Sequence, residues 1–173
     1  MHTARPPFLY VIALGSNRPH GHHGRPASVI AAARSYLSGP AVALLASSPI
    51  IASAPVGPSL RTYANSACLI RSCLMPPALL AGLKSIEREF GRRRGQRWGN
   101  RVLDLDIILW SGGRWQSRNL TIPHRLWRER DFVVSPVASL VPAWRDPLTG
   151  LTTRQLAFRH NRPIPVDPSS KRA

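Results

Sequence analysis

Asp104 and Asp106 are the residues whose type and spacing point most directly to chemistry. They stand two apart in the run Leu103-Asp-Leu-Asp-Ile-Ile-Leu-Trp110, whose alternation predicts a strand. Strand geometry then sends both carboxylates to one side, and Leu103, Leu105, Ile107 and Leu109 to the other. Carboxylates this close repel each other, and burying them without a cation or hydrogen-bond donors is costly. Hard oxygen ligands on a rigid strand suit Mg2+, which takes one or two carboxylates together with phosphate oxygens and water. Taken alone, the pair can also be read as structural, neutralised by arginines such as Arg101.

The preceding segment, Gly91-Arg-Arg-Arg-Gly-Gln-Arg-Trp-Gly-Asn-Arg101, carries five arginines among glycines. Guanidinium forks bind phosphate bidentately, and glycines let a loop close over a ligand. Set directly before two carboxylates, this loop reads as a clamp for a metal-bridged polyphosphate; by itself it could also be a solvated basic loop. No Gly-x-x-x-x-Gly-Lys-Ser/Thr run occurs, which argues against a P-loop nucleotide fold. Tyr63 and Asn65, on one face of a second strand, could stack on and read the edge of a flat polar heterocycle, although Tyr63 and Phe132 also suit core packing. His124 after Pro123 is either a phosphate donor or a surface histidine. Glu87 could equally be a surface acid pairing with Lys84 or Arg88, and His20, His22 and His23 read as a solvated loop rather than a metal site.

These residues need elements to position them. Tyr10 to Leu14 reads as a buried strand ended by a Gly15-Ser16-Asn17 turn, and Pro26 to Leu37 as a helix with Val29, Ile30, Ala33 and Leu37 at helical spacing. Val42 to Ile51 follows as a strand broken at Ser47-Ser48, then Tyr63 to Leu69 as another. Pro76-Pro77 starts a helix with the stripe Leu79, Leu80, Leu83, Ile86 and Phe90, and Gly91 ends it. The strand over 103–110 is turned back by Gly112-Gly113. A helix over 132–140 and a proline-rich tail complete the chain. Strand, helix, strand, strand, helix, strand predicts an α+β, ferredoxin-like antiparallel sheet with helices packed on one face and a C-terminal extension. A single domain is expected over residues 1–160, with a disordered tail over 161–173.

The 43% apolar content of 173 residues supports a globular core. No signal peptide and no run of ~18–20 apolar residues is found, so no membrane association is expected. Cys68 and Cys73 at odd spacing do not suit a mutual bridge, and a reducing cytoplasm is the economical reading. The net charge of +16 would attract any polyanion, but arginines are spread along the whole chain, so specific nucleic-acid binding is not expected.

Arg97-Trp-Gly-Asn-Arg-Val-Leu-Asp-Leu-Asp-Ile107 resembles the signature of the 6-hydroxymethyl-7,8-dihydropterin pyrophosphokinases of folate biosynthesis. Ala13-Leu-Gly-Ser-Asn17, Pro55-Val-Gly-Pro58, Tyr63-Ala-Asn65 and Leu120-Thr-Ile-Pro-His124 extend the resemblance in order, from about Leu9 to Pro142. It implies an ATP- and Mg-dependent transferase that moves pyrophosphate from ATP to the pterin hydroxymethyl group and leaves AMP. It also implies two Mg2+ ions on Asp104 and Asp106, and Arg92 and Arg101 as catalytic arginines. By the same resemblance Glu87, Arg94, Arg97, Trp98, Ile107, Thr121, His124 and Arg130 contact ATP, while Ser53, Val56, Tyr63, Asn65 and Phe132 hold the pterin. A monomer is expected. The chain departs from the pattern with Asn100 for a proline, Arg125 for an aromatic and Asn119 for an arginine. It also has Lys84 where a glutamine contacts the base, so the adenine-side contacts are left open.

Overall fold

The computed structural model describes residues 7–54, 62–91 and 102–160. Val56, Arg92, Arg94, Arg97, Trp98 and Arg101 therefore lie outside the described residues, as does the expected tail.

Strand β1 (Phe8–Ser16) lies at the centre of the main sheet, antiparallel to β4 (Tyr63–Ser72) on one side and β5 (Asp104–Trp110) on the other. Beyond β4, β2 (Val42–Ser47) and β3 (Ile51–Ser53) occupy successive stretches of the same edge, giving the order β2-β4-β1-β5 with β3 also on β4. Helices α1 (Pro26–Ser35) and α2 (Pro76–Glu89) each open on a proline, whose missing N–H costs nothing in a first turn. They pack Val29, Ile30, Ala33, Leu79 and Leu83 onto Tyr10, Ile12, Leu14, Cys68, Leu105 and Ile107. This is the expected ferredoxin-like arrangement.

The opposite face is covered too. A short 3-10 turn (Trp127–Glu129), α3 (Asp131–Leu140) and α4 (Thr153–His160) bury Trp127, Val134, Val137 and Leu156 against Val11, Ala67, Ile108 and Leu109. The C-terminal extension thus forms the second layer, and α4 lies within the expected domain, in the stretch after Leu140 where no helix is read from the sequence. Leu156 is its only buried apolar residue while Phe158 is exposed, too weak a periodicity to read alone.

Three further expectations change. β1 runs through Gly15 and Ser16 instead of turning there, because both residues are paired with β4 and Gly15 with β5 as well. Leu109 does not share the face of Leu105 and Ile107. The register slips opposite Val11 and Ile12, leaving Ile108 as an extra residue, and after this bulge Leu109 faces α3 while Trp110 returns to the first core. The turn at Gly112-Gly113 does not send the chain back along β5. It leads to β6 (Trp115–Gln116), which pairs with β7 (Thr121–Ile122) in a separate two-stranded sheet.

The break between β2 and β3 has a physical cause. Ser48 Oγ accepts from the Ala67 N–H at 2.9 Å, and the Ser48 N–H donates to the Ala67 carbonyl at 2.9 Å. One Arg34 amino group from α1 donates to the Ser48 carbonyl at 2.6 Å and to Ser66 Oγ at 2.7 Å. Polar groups freed by the break are thereby satisfied inside the protein.

Candidate active site

Asp104 and Asp106 are half-buried on the face of β5 opposite Leu105 and Ile107, as alternation requires. Asp104 faces Gly15 across the β1–β5 pairing, and Asp106 faces Ala13. One strand further, Gly15 faces Asn65, and Asn65 in turn faces Ile51 on β3. Directly opposed residues of antiparallel strands share a face. Asp104, Gly15 and Asn65 therefore form one row across the sheet, with Asp106 and Ala13 in the next. The result is a trough with carboxylates at one side, a floor of glycine and alanine, and amide and hydroxyl groups at the other.

At that other side, Asn65 is 5% exposed and donates through Nδ2 to Ser53 Oγ at 2.8 Å. A Cβ on Gly15 would lie 3.6 Å from Asn65 Oδ1, so the amide oxygen hangs over the glycine floor. Tyr63 is paired with Ser53 and shares the face of Asn65. Phe132 is half-buried in the first turn of α3, which packs on β4, β3 and β1, and the Arg130 guanidinium stands 6.0 Å from its ring centroid. The structure therefore brings Ser53, Tyr63, Asn65, Asp104 and Asp106 to one face of the sheet, with Phe132 on the helix covering it.

The residues expected at the nucleotide are distributed differently. Glu87 is fully buried on the inner side of α2, so it is not a surface acid. Its Oε1 accepts from the Leu105 N–H at 2.8 Å and from Lys84 Nζ at 2.6 Å. Ile107 points its side chain into the core, so any ligand contact from it would come through the backbone. Thr121 lies on β7, followed by a cis Ile122–Pro123 bond, and the His124 N–H then donates to the Ile108 carbonyl at 3.2 Å. Thr121 and His124 are thus fastened beside β5, and Arg130 begins α3 with its carbonyl accepting from the Val133 and Val134 N–H groups, each at 2.9 Å.

Sequence reasoning missed the fastening behind His124 and Arg130. Asp146 is fully buried and accepts from Arg128 Nε and Nη2, each at 2.6 Å, and from Thr149 Oγ1 at 2.7 Å. Burial pushes the Asp146 carboxyl up, but the hydrogen bonds from Arg128, Thr149 and Leu148 and the Arg128 charge outweigh it and hold the group below its ordinary range. The acid-then-turn run Asp146-Pro-Leu-Thr-Gly150 was the available signal.

The donor set fits Mg2+. Two carboxylates on one strand face, beside a floor without side-chain bulk, leave room for phosphate oxygens to complete the shell. Among the described residues no three His, Cys, Asp or Glu side chains converge as a metal cage, which an all-protein Zn2+ or Ca2+ site would need. His20, His22 and His23 are accounted for otherwise. His20 Nδ1 accepts from the His22 and His23 N–H groups at 3.2 Å each, and His23 stacks on Phe90 at 4.9 Å. An apolar cavity of about 210 Å³ between Leu37, Val42, Leu79 and Ile86 lies on the other face of the sheet and contains none of the candidate residues. Cys68 and Cys73 are both free, and no described helix is long and apolar enough to cross a membrane.

Comparison with known proteins gives the family. Residues 11–142 match the model of the family described as 7,8-dihydro-6-hydroxymethylpterin-pyrophosphokinase. The chain is 37% identical over 137 residues to the 2-amino-4-hydroxy-6-hydroxymethyldihydropteridine pyrophosphokinase of Pseudomonas aeruginosa, covering 79% of this chain and 82% of that one. It is 43% identical over 100 residues to the enzyme of the same name from Synechocystis sp., covering 58% of this chain and 51% of its relative, so it spans about half of that protein's length. Among solved structures, wild-type Plasmodium falciparum HPPK-DHPS with SDX-DHP superposes with a TM-score of 0.68 at 11% identity, over 89% of this chain and 44% of that longer one, a likeness of fold. The chain belongs to the 7,8-dihydro-6-hydroxymethylpterin-pyrophosphokinase family.

Proposed function

We propose that this chain transfers pyrophosphate from ATP to the hydroxymethyl group of 6-hydroxymethyl-7,8-dihydropterin, releasing AMP and the pterin diphosphate for folate biosynthesis. The observation that carries this reading is the shared trough, with Asp104 and Asp106 at one side and Asn65, Ser53 and Tyr63 at the other, across a floor of Gly15 and Ala13. A hard-oxygen end suits a cation-bound triphosphate. An amide-and-hydroxyl end beside aromatic rings suits a flat polar heterocycle. The two reacting groups would be brought together at the floor between them, where Gly15 and Ala13 add little side-chain bulk.

In this reading Asp104 and Asp106 hold Mg2+, which would shield the triphosphate charge and help orient it. Asn65 and Ser53 read the pterin edge, and Tyr63 and Phe132 lie against its faces. The pterin hydroxyl oxygen forms a bond to the β-phosphorus as the bond from that phosphorus to the α,β-bridging oxygen breaks. The electron pair leaves with AMP and the hydroxyl proton goes to solvent. Arginines of the 92–101 segment, outside the described residues, fit the role of spreading charge on the phosphoryl oxygens.

The test is incubation with Mg-ATP and the hydroxymethyldihydropterin, followed by chromatography. AMP and pterin diphosphate should appear in equal amounts, and chelation of Mg2+ should stop both. Asp104→Ala and Asp106→Ala should each lower turnover about 10²-fold or more with the fold retained. Folded wild-type protein that forms neither product overturns the activity, and near-normal AMP release by either variant overturns the metal assignment.

A further inference from the structure

Leu105 lies between the two aspartates, and its peptide groups are held from outside the sheet. β5 ends the strand order of the main sheet, so its outer edge presents N–H and C=O groups that need partners. The Leu105 N–H donates to Glu87 Oε1 at 2.8 Å, and Lys84 Nζ donates to the Leu105 carbonyl at 3.2 Å. Lys84 Nζ also donates to the same Glu87 oxygen at 2.6 Å, so ammonium, carboxylate and peptide close a ring. Lys84 and Glu87 stand at i and i+3 on α2. Glu87 is fully buried, and the Lys84 side chain is 35% exposed.

We infer that Lys84 and Glu87 are positioning residues for Asp104 and Asp106. They fix the Leu105 peptide groups and thereby the direction in which both carboxylates point. The inference rests on the proposed role of those aspartates as the divalent-cation ligands.

Three considerations carry it. Asp104 and Asp106 are each bonded directly to Leu105, so a rotation of the Leu105 backbone re-aims both carboxylates. An ion pair with one partner fully buried is a poor source of stability, since apolar residues of similar volume often serve as well. Apolar residues could hold α2 against β5 but could not bind the N–H and C=O of Leu105. Finally, outer-shell hydrogen bonds that orient metal ligands characteristically govern metal affinity.

The test measures Mn2+ binding by electron paramagnetic resonance in the presence of α,β-methylene-ATP, with pterin binding by calorimetry and thermal melts in parallel. The full-length double variant Lys84→Met with Glu87→Leu removes both side-chain hydrogen bonds to the Leu105 peptide groups seen among the described residues. Its Mn2+ dissociation constant should rise about tenfold or more, with pterin affinity unchanged. In Lys84→Met with Glu87→Gln, the carboxamide can accept from the Leu105 N–H and donate to its carbonyl without charge. That variant should bind Mn2+ with a constant within about 1.5-fold of wild type.

Equal Mn2+ constants in all three proteins overturn the inference. So does a loss in the glutamine variant as large as in the leucine variant, which would make charge the cause. A parallel weakening of pterin binding assigns the pair a general structural role and overturns it as well. If the leucine variant does not fold, Lys84→Met alone decides: a constant about threefold weaker is expected, and an unchanged or tighter one overturns the inference. Wild-type protein that binds Mn2+ but makes no pterin diphosphate refutes the proposed activity and leaves these comparisons valid.

Discussion

Gly15 sits in the row between Asp104 and Asn65, at a point where backbone conformation does not require glycine, for no positive φ occurs there. Its use is the space above it. A Cβ would meet Asn65 Oδ1 at 3.6 Å, an ordinary contact, so the fold accepts a Cβ at a point where the trough needs open space. Glycine weakens a strand interior and β-branched residues suit it. Gly15→Val should therefore keep or raise the melting temperature while weakening pterin binding about tenfold, since the two methyl groups would stand where the proposed substrates meet. Calorimetric pterin titration beside a thermal melt separates the two effects. A variant that melts earlier yet binds pterin normally would show that the glycine serves packing instead. Asn65 and Ser53 could be singled out from strand alternation and the family resemblance, but their mutual hydrogen bond could not, because β3 and β4 are joined through register rather than sequence proximity.

At the scale of elements, the helices were legible wherever an apolar stripe recurs at helical spacing, and the α2 stop was legible in one residue. Gly91 has φ +86°, and its N–H donates to the Arg88 carbonyl at 3.0 Å while the Phe90 N–H donates to Ile86 at 3.1 Å, a left-handed helix end. Gly91→Ala forces a Cβ into that conformation and should cost about 1 kcal/mol, lowering the melting temperature by roughly 3 °C. A melt that does not move would mean the helix can end one residue earlier without loss. What periodicity could not disclose were features decided by a partner strand. The bulge at Ile108 reverses the faces of Leu109 and Trp110, yet the run Ile107-Ile-Leu-Trp110 is apolar throughout and marks no slip. Gly15-Ser16-Asn17 has the composition of a turn, but pairing on both sides of Gly15 overrides that local preference. The same logic hid the Lys84–Glu87 contact with Leu105, for which spacing alone allowed only a surface ion pair.

Across the whole molecule, the chain closes its second layer by tying the end of the fold to the wall that carries His124 and Arg130. Arg128 lies between those two residues, and its guanidinium grips Asp146 in the turn before α4. The Arg128 carbonyl also meets the His160 ring at the end of α4. Charge as a bulk property says little about this: a net +16 repels itself everywhere, but the buried Asp146 carboxylate converts Arg128 into a fastening. Asp146→Asn leaves the Arg128 charge without its bidentate partner and should cost about 3 kcal/mol at neutral pH, or roughly 6–12 °C in melting temperature. The pH dependence follows from the depressed carboxyl. Its stabilisation is fully present above the unfolded value near 3.9 and is lost as pH falls through the lower folded value. Denaturant titrations of both proteins from neutral pH into acid should therefore show a constant gap down to about pH 4 and a shrinking one below it. A gap that grows with acid would mean that Asp146 is held protonated, and that α4 is fastened to the site wall by packing alone.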